Sequence, residues 1–177
     1  LDLNLDRWRY LDDVMPTNCI TRYSTPTAVK ELLAIADVVI GAVLVPGAKA
    51  PKLVTKDMLP LMKPGAVMVD VAIDQGGCFE TSHATTHSDP VYEVDGIVHY
   101  CVANMPGAYA RTATYALNNA TIGYGLQLAN KGAEKACREN AGLKDGLNMY
   151  KGVITFKAVA EAFGMMDKYK DVDAVLA

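Results

Sequence analysis

The sequence predicts an α/β fold, a doubly wound parallel sheet followed by a mainly helical C-terminal segment. Three observations predict it. Short runs rich in Val and Ile alternate with stretches of helical periodicity. Those runs are apolar almost throughout, as strands buried on both faces of a parallel sheet are. Helical stretches of roughly 8–12 residues separate them, which implies right-handed crossovers and a sheet covered on both faces.

The elements follow in order. Leu1–Leu3 reads as the end of a strand, and Asp6 can cap a short helix through Met15 by accepting from its free N–H groups. Cys19–Tyr23 reads as a second strand. Ser24-Thr25-Pro26 opens a helix to about Ala36, because a hydroxyl cap followed by Pro near the first turn is a start signal. Val38–Val45 is a strand buried on both faces, broken by Pro46-Gly47. Thr55 can cap a short helix through Met62, which Pro64-Gly65 ends. Ala66–Ile73 is another buried strand, Gly76–Asp95 is polar with little periodicity, and Ile97–Val102 is one more strand. Arg111–Lys131 is a long helix, and the last third is mostly helical with a short strand near Val153–Thr155. Composition changes near Pro106-Gly107, which divides residues 1–106 from residues 107–177.

Composition narrows the function. The 177 residues are 51% hydrophobic and 21% charged, which suits one domain or one and a half and excludes a disordered chain. Lys and Arg number 17 against 20 Asp and Glu, a net charge of 17 − 20 = −3, with no footprint for nucleic acid or an anionic membrane. The longest apolar run, Val38–Val45, is far short of the ~20 residues that span a bilayer. Cys19, Cys78, Cys101 and Cys137 form no CxxC, so reduced thiols in a cytoplasmic protein are the simpler reading. The chain opens on Leu1 inside an apolar segment, so further sequence is expected before it.

Several strand ends carry candidate chemistry. Asp2 ends a strand and precedes a helix, where dinucleotide-binding folds place an acid for the adenosine ribose hydroxyls; a solvated loop acid is the plainer reading of the same residue. In Val69-Asp70-Val71-Ala72-Ile73-Asp74-Gln75-Gly76-Gly77 a buried strand runs into a carboxylate and two glycines. Ligands of open α/β sheets bind there, and glycine lets backbone approach a ligand; a turn capped by Asp74 is the equal alternative. Asp70 lies earlier on the same face and reads as a buried, satisfied acid. Val43-Leu44-Val45-Pro46-Gly47 and Val102-Ala103-Asn104-Met105-Pro106 are two further strand ends, and together the three suggest one crevice. His83 and His87 have HxxxH spacing but no third ligand, so no metal is expected. Gly123-Tyr124-Gly125 follows no strand and reads as helix packing.

Four strings carry a resemblance: VIGAVLVPGAKAPKLVTKDML, KPGAVMVDVAIDQGGCFET, HYCVANMPGA and TATYALNNAT. In this order, over nearly the whole chain, they resemble bacterial alanine dehydrogenase. The related transhydrogenase NAD domain usually has Glu where this chain has Asp74. The resemblance implies a Rossmann-like nucleotide domain whose first βα unit is missing. Its long helix would return to a substrate and oligomerisation domain. It implies NAD as cofactor and reversible conversion of L-alanine to pyruvate and ammonium. By position, Asp2 would hold the adenosine ribose with Arg7 beside it, and Ser24 would approach the adenine. Val43 and Leu44 would pack along the cofactor, with Val71 and Asp74 at its nicotinamide end. Val102, Asn104 and Met105 would complete that wall, with Asn104 near the substrate, and Asp74 matches the family's essential active-site aspartate. The family chain is about twice as long; its N-terminal half supplies the glycine-rich phosphate turn, the substrate-binding Arg and Lys and a catalytic His, none of which is in this sequence. Hexamers are common in the family. Two other readings remain: a weak NAD-binding or oligomer-forming module that is poorly soluble alone, and a transhydrogenase domain that binds nucleotide without oxidising alanine.

Overall fold

The computed structural model describes residues 1–43, 45 and 49–176. They fall into two units, Leu1–Val43 with Ala50–Ala103, and a second running from Asn104 onward.

The first unit is built on a four-stranded sheet of order β1-β2-β4-β3: β1 (Val38–Gly41), β2 (Val67–Asp70), β3 (Val91–Val94) and β4 (Ile97–Tyr100). β1, β2 and β4 run parallel, with Gly41 opposite Asp70 and Val67 opposite Val98, so the parallel α/β class holds. β3 is antiparallel to β4. It falls inside the stretch the sequence leaves without an element. The hairpin turns on Asp95 and Gly96, at φ 51° and 79°. Asp-Gly is the residue pair that a two-residue turn with both φ positive prefers.

Local chemistry corrects several boundaries. β2 ends at Asp70, not Ile73, because Asp70 Oδ1 accepts from the N–H of Ala72 at 3.1 Å and turns the chain out of the ladder. Asp74 therefore lies beyond the strand, in a 3-10 turn spanning Ile73–Gln75, and does not share a strand face with Asp70. β1 stops at Gly41 and is buried on one face only: Val38 and Ile40 are exposed, Gly41 is buried and Val39 packs on the core. Cys19–Tyr23 forms no strand; Tyr23 makes a single parallel bridge to Asp2.

Helix α1 (Leu5–Val14) is capped by Asn4, whose Oδ1 accepts from the N–H groups of Asp6 and Arg7 at 3.0 Å. Asp6 is not the cap but a first-turn acid, where its charge complements the helix dipole. Helix α2 (Pro26–Leu33) opens as expected, with Thr25 Oγ1 accepting from Ala28 N at 3.1 Å and Pro26 in the first turn. Lys56–Leu61 is a 3-10 helix, and Thr55 does not cap it; its hydroxyl donates to Asp57 Oδ1 instead. Leu33, Val54, Leu59, Met62, Met68, Phe79 and Ile97 form the core beneath the sheet. Each large apolar side chain buried there contributes about 1.5–3 kcal/mol.

The second unit opens on a 3-10 helix (Met105–Tyr109) and helix α3 (Ala110–Lys131). Helices α4 (Ala133–Glu139) and α5 (Ala141–Asp145), a hairpin of β5 (Met149–Tyr150) and β6 (Val153–Ile154), and helices α6 (Lys157–Ala162) and α7 (Val172–Leu176) follow. Ala136, Cys137, Ile154, Ala160 and Leu176 are its buried residues of apolar type. Glu134 ties hairpin to helix, accepting from Tyr150 Oη at 2.7 Å and Lys151 Nζ at 2.8 Å. None of α3 is buried, and nothing stands within 4 Å of where a Cβ on Gly123 or Gly125 would be, so these glycines do not serve helix packing among the described residues. Among the described residues no helix is long and apolar enough to cross a membrane.

Candidate functional site

The turn that leaves β2 is held by a dense set of hydrogen bonds. Asp70 is fully buried. Beyond the Ala72 bond, its Oδ2 accepts from Cys78 N at 2.9 Å, Phe79 N at 3.2 Å and Ser82 Oγ at 2.5 Å, and its Oδ1 faces Cys78 Sγ at 3.5 Å. A buried carboxylate is tolerable only when its lone pairs are used in this way. Gly77 makes the approach feasible. Its φ is 71°, and a Cβ there would stand 2.7 Å from Asp70 Oδ2. Gly41 on the neighbouring strand serves the same packing, since its Cβ would lie 2.2 Å from Cys78 Sγ.

A cation holds the other side of the turn. Lys52 Nζ donates to the carbonyls of Gly76 at 2.6 Å, Gly77 at 2.7 Å and Phe79 at 3.0 Å. Asp74 stands exposed between these restraints. Beside it, Gln75 Oε1 is buried with no hydrogen-bond partner among the described residues, and the space where a Gly76 Cβ would stand is open. An exposed carboxylate, an unsatisfied acceptor and an open glycine backbone meet at the carboxyl end of parallel strands, where open α/β sheets bind ligands.

The ground below is polar and closed. Burial pushes the Cys78 thiol up to about 12, and the Asp70 charge and hydrogen bond add to the rise. Burial first, and Cys101 second, also hold the Tyr92 phenol above its ordinary value. Tyr92 Oη donates to Thr81 O at 3.0 Å and accepts from His83 N at 2.9 Å. Its ring is stacked between His83 and His99, with centroids at 3.7 Å and 5.0 Å. His99 and His83 are thus structural neighbours of one tyrosine. Among the described residues no group of three His, Cys, Asp or Glu is placed to hold a metal ion.

The remaining candidates lie as follows. Asp2 and Ser24 are brought together: Ser24 N donates to Asp2 O at 3.0 Å, and Asp2 Oδ1 accepts from Asn4 N at 2.8 Å. Arg7 is exposed on α1 with its guanidinium 5.2 Å from the Tyr10 ring centre. Val43 is half-buried against the core, Val71 is exposed, and Leu44 lies outside the described residues. Val102 is fully buried, backbone included, and bridged to Thr85. Asn104 and Met105 open the second unit. Asn104 is exposed and left-handed, at φ 54° and ψ 53°, a conformation that costs a non-glycine residue on the order of 1 kcal/mol and clusters at functional sites. Met105 is half-buried. Sequence reasoning misses Lys52, because nothing in its spacing announces a contact 24 residues away.

The first unit is therefore a Rossmann-like α/β unit with an acid-and-glycine turn at the carboxyl end of its parallel strands. A family model described as "Alanine dehydrogenase/PNT, C-terminal domain" matches residues 1–157, and the chain belongs to that family. It is 57% identical over 165 residues to the alanine dehydrogenase of Halomonas elongata, covering 93% of this chain and 44% of that protein. It is 55% identical over 165 residues to the alanine dehydrogenase of Bacillus subtilis, again covering 93% and 44%. A solved L-alanine dehydrogenase superposes with a TM-score of 0.79 at 46% identity, covering 92% of this chain and 45% of that one. The chain spans less than half the length of these relatives.

Proposed function

We propose that the full-length polypeptide carrying this chain is an NAD-dependent alanine dehydrogenase. It would convert L-alanine, NAD and water to pyruvate, ammonium, NADH and a proton, reversibly. Identity of 57% to an alanine dehydrogenase over 93% of the chain carries the reading. The exposed Asp74 supports it, on a turn built at the ligand edge of the sheet.

The residues present fit a nicotinamide dinucleotide. At one end, the orphaned Gln75 Oε1 and open Gly76 offer an acceptor and a close approach beside Asp74. At the other, Asp2 is bridged to Tyr23, with one carboxylate oxygen engaged by Asn4 and the other left to receive ribose hydroxyls. An acid there also repels a 2′-phosphate, which supports NAD over NADP. When bound, NAD supplies the hydride acceptor, and the protein's share of the work is positioning and electrostatics. Asp74 would stabilise the cationic iminium of the amino acid, or order the water that attacks it. Val71 would line the nicotinamide end, and the family resemblance also assigns Val102 and Met105 to the cofactor and Asn104 to the substrate. Ser24 and Arg7 would flank the adenosine. Homo-oligomeric assembly, as hexamers, belongs to the same reading; the exposed Tyr115, Leu117, Tyr124 and Leu126 of α3 offer apolar surface to a neighbour. The test is L-alanine-dependent NADH formation by the purified full-length polypeptide. Turnover with alanine is expected, and its absence, with pyruvate plus ammonium also failing to oxidise NADH, overturns the assignment.

A further inference from the structure

We propose that Lys52 and Asp70 are positioning residues for Asp74. Lys52 takes the carbonyls of the turn that carries Asp74, Asp70 takes that turn's N–H groups, and together they fix where the Asp74 carboxylate stands. The role rests on the reading of Asp74 as the active-site acid.

The turn cannot hold itself. Its own bonds are local, from Gln75 N to Ala72 O at 2.9 Å, Gly76 N to Ile73 O at 2.9 Å and Gly77 N to Ala72 O at 3.0 Å. It closes on two glycines at φ 86° and 71°, the residues with most conformational freedom to lose. A three-residue 3-10 turn with this ending is a weak platform for a carboxylate that has to be placed to a fraction of an ångström.

External restraints supply the rigidity, and they are complementary in sign. Asp70 bonds the backbone on both sides of Asp74, at Ala72 before it and at Cys78 and Phe79 after it. Lys52 bonds the carbonyls of Gly76, Gly77 and Phe79. All three ammonium hydrogens are thereby spent on one turn, so Lys52 has no donor left for a ligand. Charge-assisted bonds of this kind are about twice as strong as neutral ones. The segment that carries Lys52 is itself laced to the turn, through Ala50 N to Gln75 O at 3.1 Å and Leu53 N to Cys78 O at 2.7 Å.

The experiment uses the full-length enzyme with Lys52→Met, Lys52→Arg, Asp74→Asn and the Lys52→Met/Asp74→Asn double variant. Lys52 carries the test because its side chain lies at the surface, whereas Asp70→Asn, included as a second variant, strikes a buried network. Lys52→Met is expected to lower kcat about 10- to 100-fold with KM changed less than about threefold, the size of effect that small misplacement of a reacting group produces. Lys52→Arg is expected to recover part of the loss. In the Asp74→Asn background Lys52→Met should cost nothing further, because a residue that acts through Asp74 has nothing left to position. Amide exchange of Gly76–Phe79 should quicken in Lys52→Met while that of β2 and β4 stays unchanged. Wild-type kcat and exchange in Lys52→Met, or losses that simply multiply in the double variant, overturn the proposal while leaving Asp74 in its role. Wild-type kcat in Asp74→Asn instead overturns the active-site reading and the positioning role with it, and exchange then reports the clamp alone.

Discussion

The turn after β2 and helix α3 are opposite solutions to carrying polar and apolar groups. The turn hides a carboxylate, one thiol and a run of backbone N–H groups, and satisfies them within a dozen residues. Helix α3 is regular and long, yet none of its 22 residues is buried, and Tyr115, Leu117, Ile122, Tyr124 and Leu126 face outward. The turn's energy is internal, and α3 carries apolar surface in search of a neighbour, of the kind that marks a protein interface.

Substitutions in the two regions should have effects of very different size. The largest effect is expected from Asp70→Ala, which leaves the N–H groups of Ala72, Cys78 and Phe79 buried without their acceptor. Destabilisation of about 3–5 kcal/mol is expected from several unpaired donors, read as a lower urea midpoint. Loss under about 1 kcal/mol would mean the network is not what holds the first unit.

A smaller effect comes from pH. In the unfolded chain Cys78 ionises near its ordinary value of 9.0, and in the folded chain only near 12. Below pH 9 both states keep the proton and stability does not change with this group. Between pH 9 and about 12 only the unfolded chain gives it up, so stability falls through that window. Tyr92, also raised, adds to the fall above its ordinary 10.0. Urea midpoints of wild type and Cys78→Ala, compared at pH 8 and pH 10.5, should show the shallower decline in the variant. Equal declines would assign the pH dependence elsewhere.

The smallest effect on folding is expected at α3. Leu117→Ser and Leu126→Ser, both at exposed positions, should change the stability of the 177-residue chain by less than about 0.5 kcal/mol. The same pair should reduce its self-association in sedimentation velocity. A large stability loss with unchanged association would show that α3 packs on its own chain instead.

Much of the architecture was legible because it rests on local signals. Apolar runs mark β1, β2 and β4, the Thr25-Pro26 start marks α2, and the scarcity of breakers marks α3. What escaped was decided by competition or by distance. An aspartate inside Val69-Asp70-Val71 looks like strand interior, but its side chain captures the Ala72 N–H and ends the ladder. β3 hides in a polar stretch where Asp95-Gly96 was the available sign. Asn4 takes the cap assigned to Asp6 because it stands just ahead of the first turn, where an N-cap side chain meets the free N–H groups. The turn bearing Asp74, Gly76 and Gly77 was visible as chemistry at a strand end. Its clamp by Lys52 was not, because that contact spans 24 residues and no pattern encodes it.

The central claim is that Asp74 serves catalysis from this turn, and steady-state turnover of L-alanine by Asp74→Asn in the full-length enzyme tests it most directly. A kcat reduced by at least about 100-fold is expected, with NADH binding retained within about threefold. Wild-type turnover in that variant would contradict it.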